Sequence, residues 1–412
     1  MMTEKRAPRA KSVVAILLLV LALAAVVVYY NGLISQKTSS DNATIGNLQS
    51  TIAGLESTTS ALRAQVSSLN SSTNSTGAEP ALIYSIANRS VVTVQGSEET
   101  TTETIFGPQT SISTVLGSGF VTSFQNSYYV ITNYHVVDGV SNLTVTFWDG
   151  NSYTATVVGT DPYSDLAVVS APAPSSEFVP LQIVDSSQVG VGDIVYAIGN
   201  PFGLSGSLTY GIVSQLGRTI QEATAGSFSI SNVIQFTAPI NPGNSGGPLL
   251  NGNGQVIGIT TATVSGSQGL GFAIPSSTIL KELPSLVSTG TYDKHAYLGI
   301  GGADMTLQLA EAMKSNATYG VLVESVVSGG PAAKAGLRAG TAVTSIEGTQ
   351  YLIGGDIIVS INGTKIVNQD ALSAYLEEFT VSGQTVQLGV LRSGVLTTVT
   401  VVLGTRPPPP SS

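Results

Sequence analysis

The sequence contains no cysteine, so disulfide bonds are excluded and cysteine usage says nothing about the compartment. It has only two histidines, His135 and His295, which argues against a zinc site built from histidine and cysteine. Charged residues make up 10% of the chain, against about 25% in ordinary soluble domains. The formal net charge is −9, and an acidic chain lacks the basic face that nucleic acid requires. We therefore expect no metal, no cofactor and no nucleic-acid partner.

The first 30 residues divide into a basic segment and an apolar run. Residues 1–11 carry four basic side chains and one acidic side chain, and residues 13–30 carry no charge. At roughly 1.5 Å per residue, this run just spans a hydrocarbon core of about 30 Å. The positive-inside rule keeps the basic end in the cytoplasm. We predict a cytoplasmic segment at 1–11 and a transmembrane helix at 12–30, with the later domains outside the cytoplasm. A cleaved signal peptide is the alternative, because Ala22-Leu23-Ala24 resembles a cleavage site.

Residues 45–69 repeat in heptads, with two apolar positions spaced four and three residues apart. One position holds Ile45, Ile52, Thr59 and Val66, and the other holds Leu48, Leu55, Leu62 and Leu69. This spacing predicts a coiled-coil stalk over 31–70, and β-branched residues opposite leucine favour two strands. An amphipathic helix lying on another surface is the alternative.

The remaining chain divides into a polar linker, two domains and a tail. Residues 71–80 are rich in Ser, Thr and Asn and predict a linker. Short β-type runs broken by Gly, Pro, Asn and Asp fill 81–288, which indicates an all-β barrel region of two six-stranded barrels. Residues 297–405 mix strands with helical patterns and indicate an α+β domain. The segment 406–412 is a proline-rich tail.

Three segments supply a nucleophile, a base and an acid. Ser245 lies in the glycine-rich run Asn241–Pro248, His135 follows an apolar run, and Asp165 precedes another. A serine hydroxyl becomes nucleophilic when an imidazole takes its proton, and a carboxylate must fix the tautomer of that imidazole. Each motif alone also fits an ordinary turn, but their chain order in a strand-rich region favours catalysis. The other nearby acid, Asp161, precedes a proline and reads as a turn residue.

The glycines around Ser245 let the backbone adopt positive φ angles and bring amides together. We expect an oxyanion hole within Gly243, Asn244 and Ser245, in which the amides of Gly243 and Ser245 point at the oxygen of the tetrahedral intermediate.

These motifs together resemble the HtrA/DegP family of chymotrypsin-like serine proteases. The matching segments are Gly117–Phe120, Thr132–Val137, Asp165–Val168, Gly199–Gly203, Gly211–Ser214 and Asn241–Pro248. The resemblance implies a mainly β chain with a double β-barrel protease domain and cleavage of unfolded or damaged proteins without ATP. It also implies regulatory loops, which by position fall at about 97–113, 201–209 and 217–232.

The resemblance extends to a C-terminal PDZ domain. Tyr297, Leu298, Gly299 and Ile300 look like the carboxylate-binding loop of an HtrA-type PDZ domain, and Gly336–Gly340 and Gly355–Gly363 match later parts of it. Such a domain adds a peptide strand to a sheet edge and binds the terminal carboxylate with backbone amides. Thirteen residues, Thr341 to Ile353, separate two motifs that usually adjoin. His295 reads as a linker residue.

The segment Thr237–Ile240 precedes the nucleophile and in chymotrypsin-like enzymes lines the specificity pocket. It holds no acidic residue, so we expect Ile240 to favour cleavage after small aliphatic residues such as Val or Ala.

Two other functions stay open: a catalytically silent peptide-binding chaperone or scaffold, and a processing protease with one target.

The oligomeric state is also open. The heptad pattern favours two strands, whereas HtrA-type proteases are typically trimers, and we follow the resemblance in expecting a homo-oligomer, a trimer.

The working pH is open as well. The charge of a surface with few ionisable groups changes little with pH, which would suit an acidic exterior. An unperturbed imidazole has a pKa of about 6.5, so activity below that pH would support this idea.

Overall fold

The computed structural model describes residues 9–73, 79–104, 107–200, 206–222, 228–261 and 269–408. They belong to two compact units, Met1–Gly77 and Ala78–Ser412. The first unit is one helix, α1 (Arg9–Thr73). It includes the one described segment long and apolar enough to cross a membrane, within Leu18–Arg63, where the most apolar window has a mean hydropathy of 2.1.

The predicted transmembrane segment and coiled coil therefore lie on one continuous helix, without a break near residue 30. Six of the predicted heptad residues are exposed along α1, namely Ile45, Leu48, Ile52, Leu55, Thr59 and Leu62. The side chains of Val66 and Leu69 lie outside the described part of the structure.

The second unit begins with α2 (Pro80–Ala87) and a seven-stranded sheet. Its strands are β1 (Val91–Thr104), β2 (Gly107–Phe124), β3 (Ser127–Thr132), β4 (Val140–Thr146), β5 (Ser152–Thr154), β6 (Thr156–Asp161) and β7 (Leu166–Ser170). They are ordered β5-β4-β1-β2-β3-β7-β6. Because Ala155 alone joins the two edge strands β5 and β6, the sheet must curl until its edges meet.

Six strands form a closed second barrel in the order β10-β13-β12-β11-β8-β9. They are β8 (Ile194–Gly199), β9 (Ser207–Glu222), β10 (Phe228–Phe236), β11 (Pro248–Leu250), β12 (Val256–Thr260) and β13 (Gly271–Pro275). The predicted mainly β protease fold is confirmed. Of the expected regulatory loops, 97–113 and 217–232 consist largely of paired strands, β1–β2 and β9–β10. Residues 105–106, 201–205 and 223–227 within the three loops lie outside the described residues.

Alternate residues of a strand point to opposite faces. A strand whose two faces are both buried is therefore apolar at every position, which explains the continuous apolar runs. In β7, Ala167 and Val169 pack inside the first barrel, while Leu166 and Val168 pack in a core shared by both barrels. Helix α3 (Ser276–Thr289) adds to the shared core.

The C-terminal part is built on a five-stranded sheet ordered β15-β16-β19-β21-β22, with β20 beside β19. The strands of the whole C-terminal part are β14 (Ala296–Tyr297), β15 (Ile300–Asp304), β16 (Val321–Val326), β17 (Ala342–Ile346), β18 (Thr349–Ile353), β19 (Ile357–Ile361), β20 (Thr364–Lys365), β21 (Thr385–Arg392), β22 (Val395–Val402) and β23 (Gly404–Thr405). Its helices are α4 (Leu307–Met313), α5 (Pro331–Lys334) and α6 (Gln369–Phe379).

Two features of this part matter for function. Strand β15 lies at the sheet edge, as strand addition requires. The additional residues Thr341–Ile353 form the β17–β18 hairpin, which packs Ile346 and Tyr351 against the cluster that contains Leu309 of α4. Helix α6 packs on β9 and β10, where Asp370 accepts a hydrogen bond from the Thr219 amide at 3.1 Å.

Candidate active site

Two neighbouring strands bring His135 and Asp165 together. Strands β3 and β7 pair antiparallel, with Thr132 opposite Ala167. The end of β3 therefore lies beside the start of β7. His135 follows β3 in a short helical turn, and Asp165 immediately precedes β7.

Their contact has the geometry of a base and its orienting acid. The Nδ1 atom of His135 lies 3.0 Å from Asp165 Oδ1 and 2.9 Å from Oδ2, and the His135 amide donates to Oδ1 at 3.0 Å. Because Nδ1 faces a carboxylate, it carries the proton, which leaves Nε2 as the acceptor. Asp165 is fully buried, while His135 retains 17% of its side-chain exposure.

The backbone of Asp165 is held in an unfavourable conformation. Its φ of 49° lies in the left-handed region, which a non-glycine residue keeps only when its surroundings enforce it. Its carbonyl accepts hydrogen bonds from Asn133 Nδ2 at 3.0 Å and from the Tyr134 amide at 3.1 Å. Thr261 Oγ1 donates to Asp165 Oδ2 at 2.7 Å. Sequence reasoning missed the role of Thr261, because nothing local to residue 261 signals it.

The loop that carries Ser245 is fixed by the first barrel. Ser118 on β2 donates from its amide to Ser245 O at 2.8 Å and from Oγ to Gly243 O at 2.6 Å. A Cβ atom placed on Gly117 would lie 2.7 Å from Val136 Cγ1 and 3.2 Å from Ser245 O. Ser245 and the turn of His135 thus pack against the same glycine.

Gly246 is required by conformation and by space. Its φ is +88°, and an added Cβ would lie 2.0 Å from Ser118 O. Only glycine therefore lets the serine turn approach β2 this closely.

The two amides expected to form the oxyanion hole are available. Among the described residues, the amides of Gly243 and Ser245 donate to no acceptor. The amide of Asn244, which lies between them, donates to Asn241 O at 3.0 Å. Asn244 therefore belongs to the oxyanion-hole segment without donating from its amide.

Ile240 lies at one end of the second barrel and packs against its core. A Cβ atom on Gly271 would lie 2.6 Å from Phe236 Cε2 and 3.1 Å from Ile240 Cγ1, so only glycine lets these two side chains pack this closely on β13. Residues 262–268 lie outside the described part, and the preference for Val or Ala stays a prediction.

The segment Tyr297–Ile300 leads from β14 into the edge strand β15. Leu298 O and Gly299 O accept hydrogen bonds from Ala332 and Val327, each at 2.9 Å. The amides of Leu298 and Gly299 donate to no acceptor among the described residues. Gly299 has a φ of +76°, which points successive amides to one side, the arrangement that binds a carboxylate.

His295 is not a linker residue as expected, because it is 3% exposed and lies in a buried charged cluster. Its Nε2 is 2.6 Å from Asp161 Oδ2 and its Nδ1 is 3.1 Å from Glu377 Oε2 on α6. Burial alone would lower the pKa of His295, but these hydrogen bonds overcome it and raise the pKa to about 9.

Two carboxyl groups of this cluster shift in opposite directions. Burial, followed by the charges of Asp161 and Glu377, raises the pKa of Glu282 well above its usual range. Burial would also raise the pKa of Glu377, but His295 and Lys281 together lower it to about 2. Glu282 is therefore neutral and Glu377 ionised at mildly acidic pH.

The side chains of Asp161, Glu282 and His295 are of the types that bind metals, and their ligand atoms lie within 4.8 Å of one another. However, Nε2 of His295 and Oδ2 of Asp161 are 2.6 Å apart. Two ligands of a tetrahedral zinc ion are separated by about 3.3 Å, given bonds of about 2.0 Å. The short contact is that of a hydrogen bond, and we therefore assign the cluster to hydrogen bonding.

Comparisons with known proteins find relatives of both folded domains. Residues 117–259 match the trypsin-like peptidase domain and residues 296–403 match the PDZ domain. The probable periplasmic serine endoprotease DegP-like of Chlamydia trachomatis is 41% identical over 283 residues, which cover 68% of this chain and 52% of that protein. Protease Do-like 1, chloroplastic, of Arabidopsis thaliana is 41% identical over 294 residues, which cover 71% and 64%.

Among solved structures, HtrA-type protease AlgW with decapeptide is 30% identical with a TM-score of 0.60. The match covers 80% of this chain and 100% of that one. The chain spans about half to two thirds of the length of these two curated relatives.

Proposed function

The chain belongs to the HtrA family of trypsin-like serine proteases, and on that premise we propose that it is a membrane-anchored serine endopeptidase that cleaves unfolded or damaged proteins outside the cytoplasm. The observation that carries the proposal is the contact of His135 Nδ1 with both carboxylate oxygens of Asp165. Because this contact places the proton on Nδ1, the lone pair of Nε2 is the base that takes the proton of Ser245.

In the proposed mechanism each of these groups has one role. Ser245 Oγ attacks the scissile carbonyl while His135 Nε2 takes its proton, and Asp165 stabilises the imidazolium that forms. The amides of Gly243 and Ser245 donate to the developing oxyanion. One such donor contributes about 3–4 kcal/mol to the transition state. The protonated His135 then donates to the leaving amine, and water hydrolyses the acyl enzyme.

Outside the protease domain, we propose that Tyr297–Ile300 binds the C-termini of peptides and that α1 anchors the chain in the membrane. The two open amides of Leu298 and Gly299 support the first role, and the apolar segment of α1 supports the second. The periplasmic location named for the Chlamydia relative supports placement outside the cytoplasm. The exposed heptad residues support self-association, and we propose that the oligomer is a trimer.

Incubation of the purified full-length protein with unfolded and folded model substrates tests the activity. Wild type should degrade the unfolded protein much faster than the folded one, and Ser245→Ala should abolish cleavage while retaining substrate binding. Cleavage by Ser245→Ala would refute the assigned nucleophile. A wild type that binds but never cleaves would favour a silent chaperone, and cleavage restricted to one native protein would favour a processing enzyme.

The anchor and the oligomer need separate measurements. An anchored chain should stay with membranes after alkaline extraction and keep its original N-terminus, whereas a cleaved signal peptide would give a new N-terminus near Ala24. The mass of the detergent-solubilised protein should equal three chains, and a mass of two chains would favour the pairing that the heptads suggest.

A further inference from the structure

The ring of His295 makes two contacts that only its charged form can satisfy. Nε2 faces Asp161 at 2.6 Å and Nδ1 faces Glu377 at 3.1 Å, and both partners are carboxylates. A neutral imidazole has a single N–H group, so one of its nitrogens would direct a lone pair at a carboxylate. An imidazolium donates to both. The geometry of the cluster therefore requires a protonated His295.

This cluster supports the loop that precedes the acid of the active site. Asp161 begins the loop Asp161–Asp165, and its Oδ1 accepts a hydrogen bond from the Tyr163 amide at 3.0 Å. Ser164, adjacent to Asp165, donates to Glu282 Oε1 on α3 at 2.7 Å. Three of the five loop residues, Asp161, Ser164 and Asp165, are thus bonded to side chains outside the first barrel, and these bonds help to hold the left-handed backbone of Asp165.

The PDZ domain contributes further residues to the same cluster. Glu377 lies on α6 and also forms an ion pair with Lys281 at 3.5 Å. On the opposite side, the Arg406 amide donates to His295 O at 3.0 Å, and the Arg406 guanidinium lies 3.9 Å from the centroid of the Tyr163 ring. Residues before and after the PDZ sheet therefore contact the same loop.

We propose that His295 is a positioning residue: its imidazolium ties the loop that carries Asp165 to helix α6, so that full activity requires a docked PDZ domain and a protonated His295. The proposal rests on the proposed function, because it takes Asp165 to be the acid of the reaction. His295 touches no reacting atom and acts through Asp161.

The charged and titratable groups around His295 come from five segments. They are Asp161 and Tyr163 from the loop, Lys281 and Glu282 from α3, Tyr292, Asp293 and Lys294 from the preceding segment, Glu377 from α6, and Arg406 from the C-terminal end. With Glu282 neutral, the charges of Asp161 and Glu377 balance those of His295 and Lys281. Deprotonation of His295 would leave two buried carboxylates facing one lysine.

The test uses the full-length protein in detergent and the variant His295→Gln, which retains one donor but cannot carry charge. The control is Asp293→Asn, which removes an exposed charge two residues away. kcat and KM on a fluorogenic peptide are measured from about pH 5 to 10. Thermal unfolding is followed in the Ser245→Ala background, so that stability is read without activity.

We expect His295→Gln to lower kcat about tenfold near neutral pH with KM within about twofold, the size of effect that slight misplacement of a catalytic group produces. As the pH rises through about 9, wild type should converge on the variant in both kcat and melting temperature. Asp293→Asn should follow wild type.

A wild-type kcat for His295→Gln near neutral pH, or a deficit that does not change up to pH 10, would overturn the proposal. If His295→Gln does not fold, Glu377→Gln takes its place, because it removes one of the two carboxylates while keeping the side-chain shape. A wild-type kcat and pH profile for that variant would equally overturn it. If wild type cleaves nothing, the proposed function fails, while the melting curves still show whether protonated His295 links the Asp161–Asp165 loop to α6.

Discussion

Thr261 donates a hydrogen bond from Oγ1 to Asp165 Oδ2 at 2.7 Å, across a sequence separation of 96 residues. Asp165 precedes β7 of the first barrel, whereas Thr261 directly follows β12 of the second. The orientation of the acid therefore depends on both barrels.

Thr261→Val should lower kcat about tenfold. Valine keeps the shape of the side chain but removes the donor, and a hydrogen bond to a charged group is worth about 1.5–3 kcal/mol. Thr261→Ser, which restores the hydroxyl, should recover most of the rate. Steady-state kinetics on one peptide substrate measures this, and equal kcat values for the valine and serine variants would contradict it.

The buried cluster should make the protein most stable in mild acid. His295 has a folded pKa of about 9 against 6.5 unfolded, so its contribution is complete below about pH 6.5 and is lost as the pH rises through 9. The difference corresponds to about 3 kcal/mol. Glu377 has a folded pKa of about 2 against 4.5, so its contribution is complete above about pH 4.5 and is lost as the pH falls towards 2.

Glu282 adds to this dependence with the opposite sign from Glu377. Its folded pKa is raised, so keeping it protonated costs stability above its unfolded value of 4.5. Glu282→Gln should therefore raise the melting temperature more at pH 7 than at pH 4.5, measured in the Ser245→Ala background. An equal change at both pH values would mean that Glu282 is ionised in the folded protein. A stability maximum between about pH 4.5 and 6.5 would fit a protein that works in acid.

Gly299→Ala should weaken the binding of peptide C-termini about tenfold. A left-handed conformation costs a non-glycine residue about 1–2 kcal/mol, and an added Cβ would lie 3.2 Å from Tyr297 Cε1. Fluorescence anisotropy with a labelled peptide measures the affinity, and an amidated peptide supplies the baseline. Gly348→Ala is the matched control, because its φ of +85° imposes the same strain in open space at the β17–β18 turn. Equal affinities for the two variants would count against a carboxylate site at Gly299.

Cleavage should occur mainly after Val or Ala. No acidic side chain lies in Thr237–Ile240, and Ile240 is an apolar, partly buried side chain at the end of this segment. Digestion of an unfolded protein followed by mass spectrometry of the products maps the cut sites. A majority of cuts after Lys or Arg would refute the prediction.

The sequence indicates the short segments on which the proposed function depends. His135, Asp165, Ser245 and the Tyr297–Ile300 loop lie in local patterns of residues that turn chemistry and strand periodicity make recognisable. The family could be predicted from the resemblance of these motifs and the mainly β fold from the density of short strands, and both are confirmed.

The sequence was insufficient where function depends on distant contacts. His295 and Asp161 are 134 residues apart, and neither one's neighbours indicate the other. The available signal was the scarcity of histidine, which made a second one in a polar connecting segment worth closer attention. The bond of the Asn244 amide to Asn241 O is likewise decided only by the folded turn.

Ser118 bonds the loop of Ser245 across the boundary between the barrels, through its amide and its hydroxyl. A partly synthesised chain that has completed only the first barrel has no nucleophile, and one whose barrels have not docked has an unsupported one. Proteolytic competence is therefore a late product of folding. An enzyme with the proposed function would therefore be unable to digest other unfolded copies of its own chain while it is still folding.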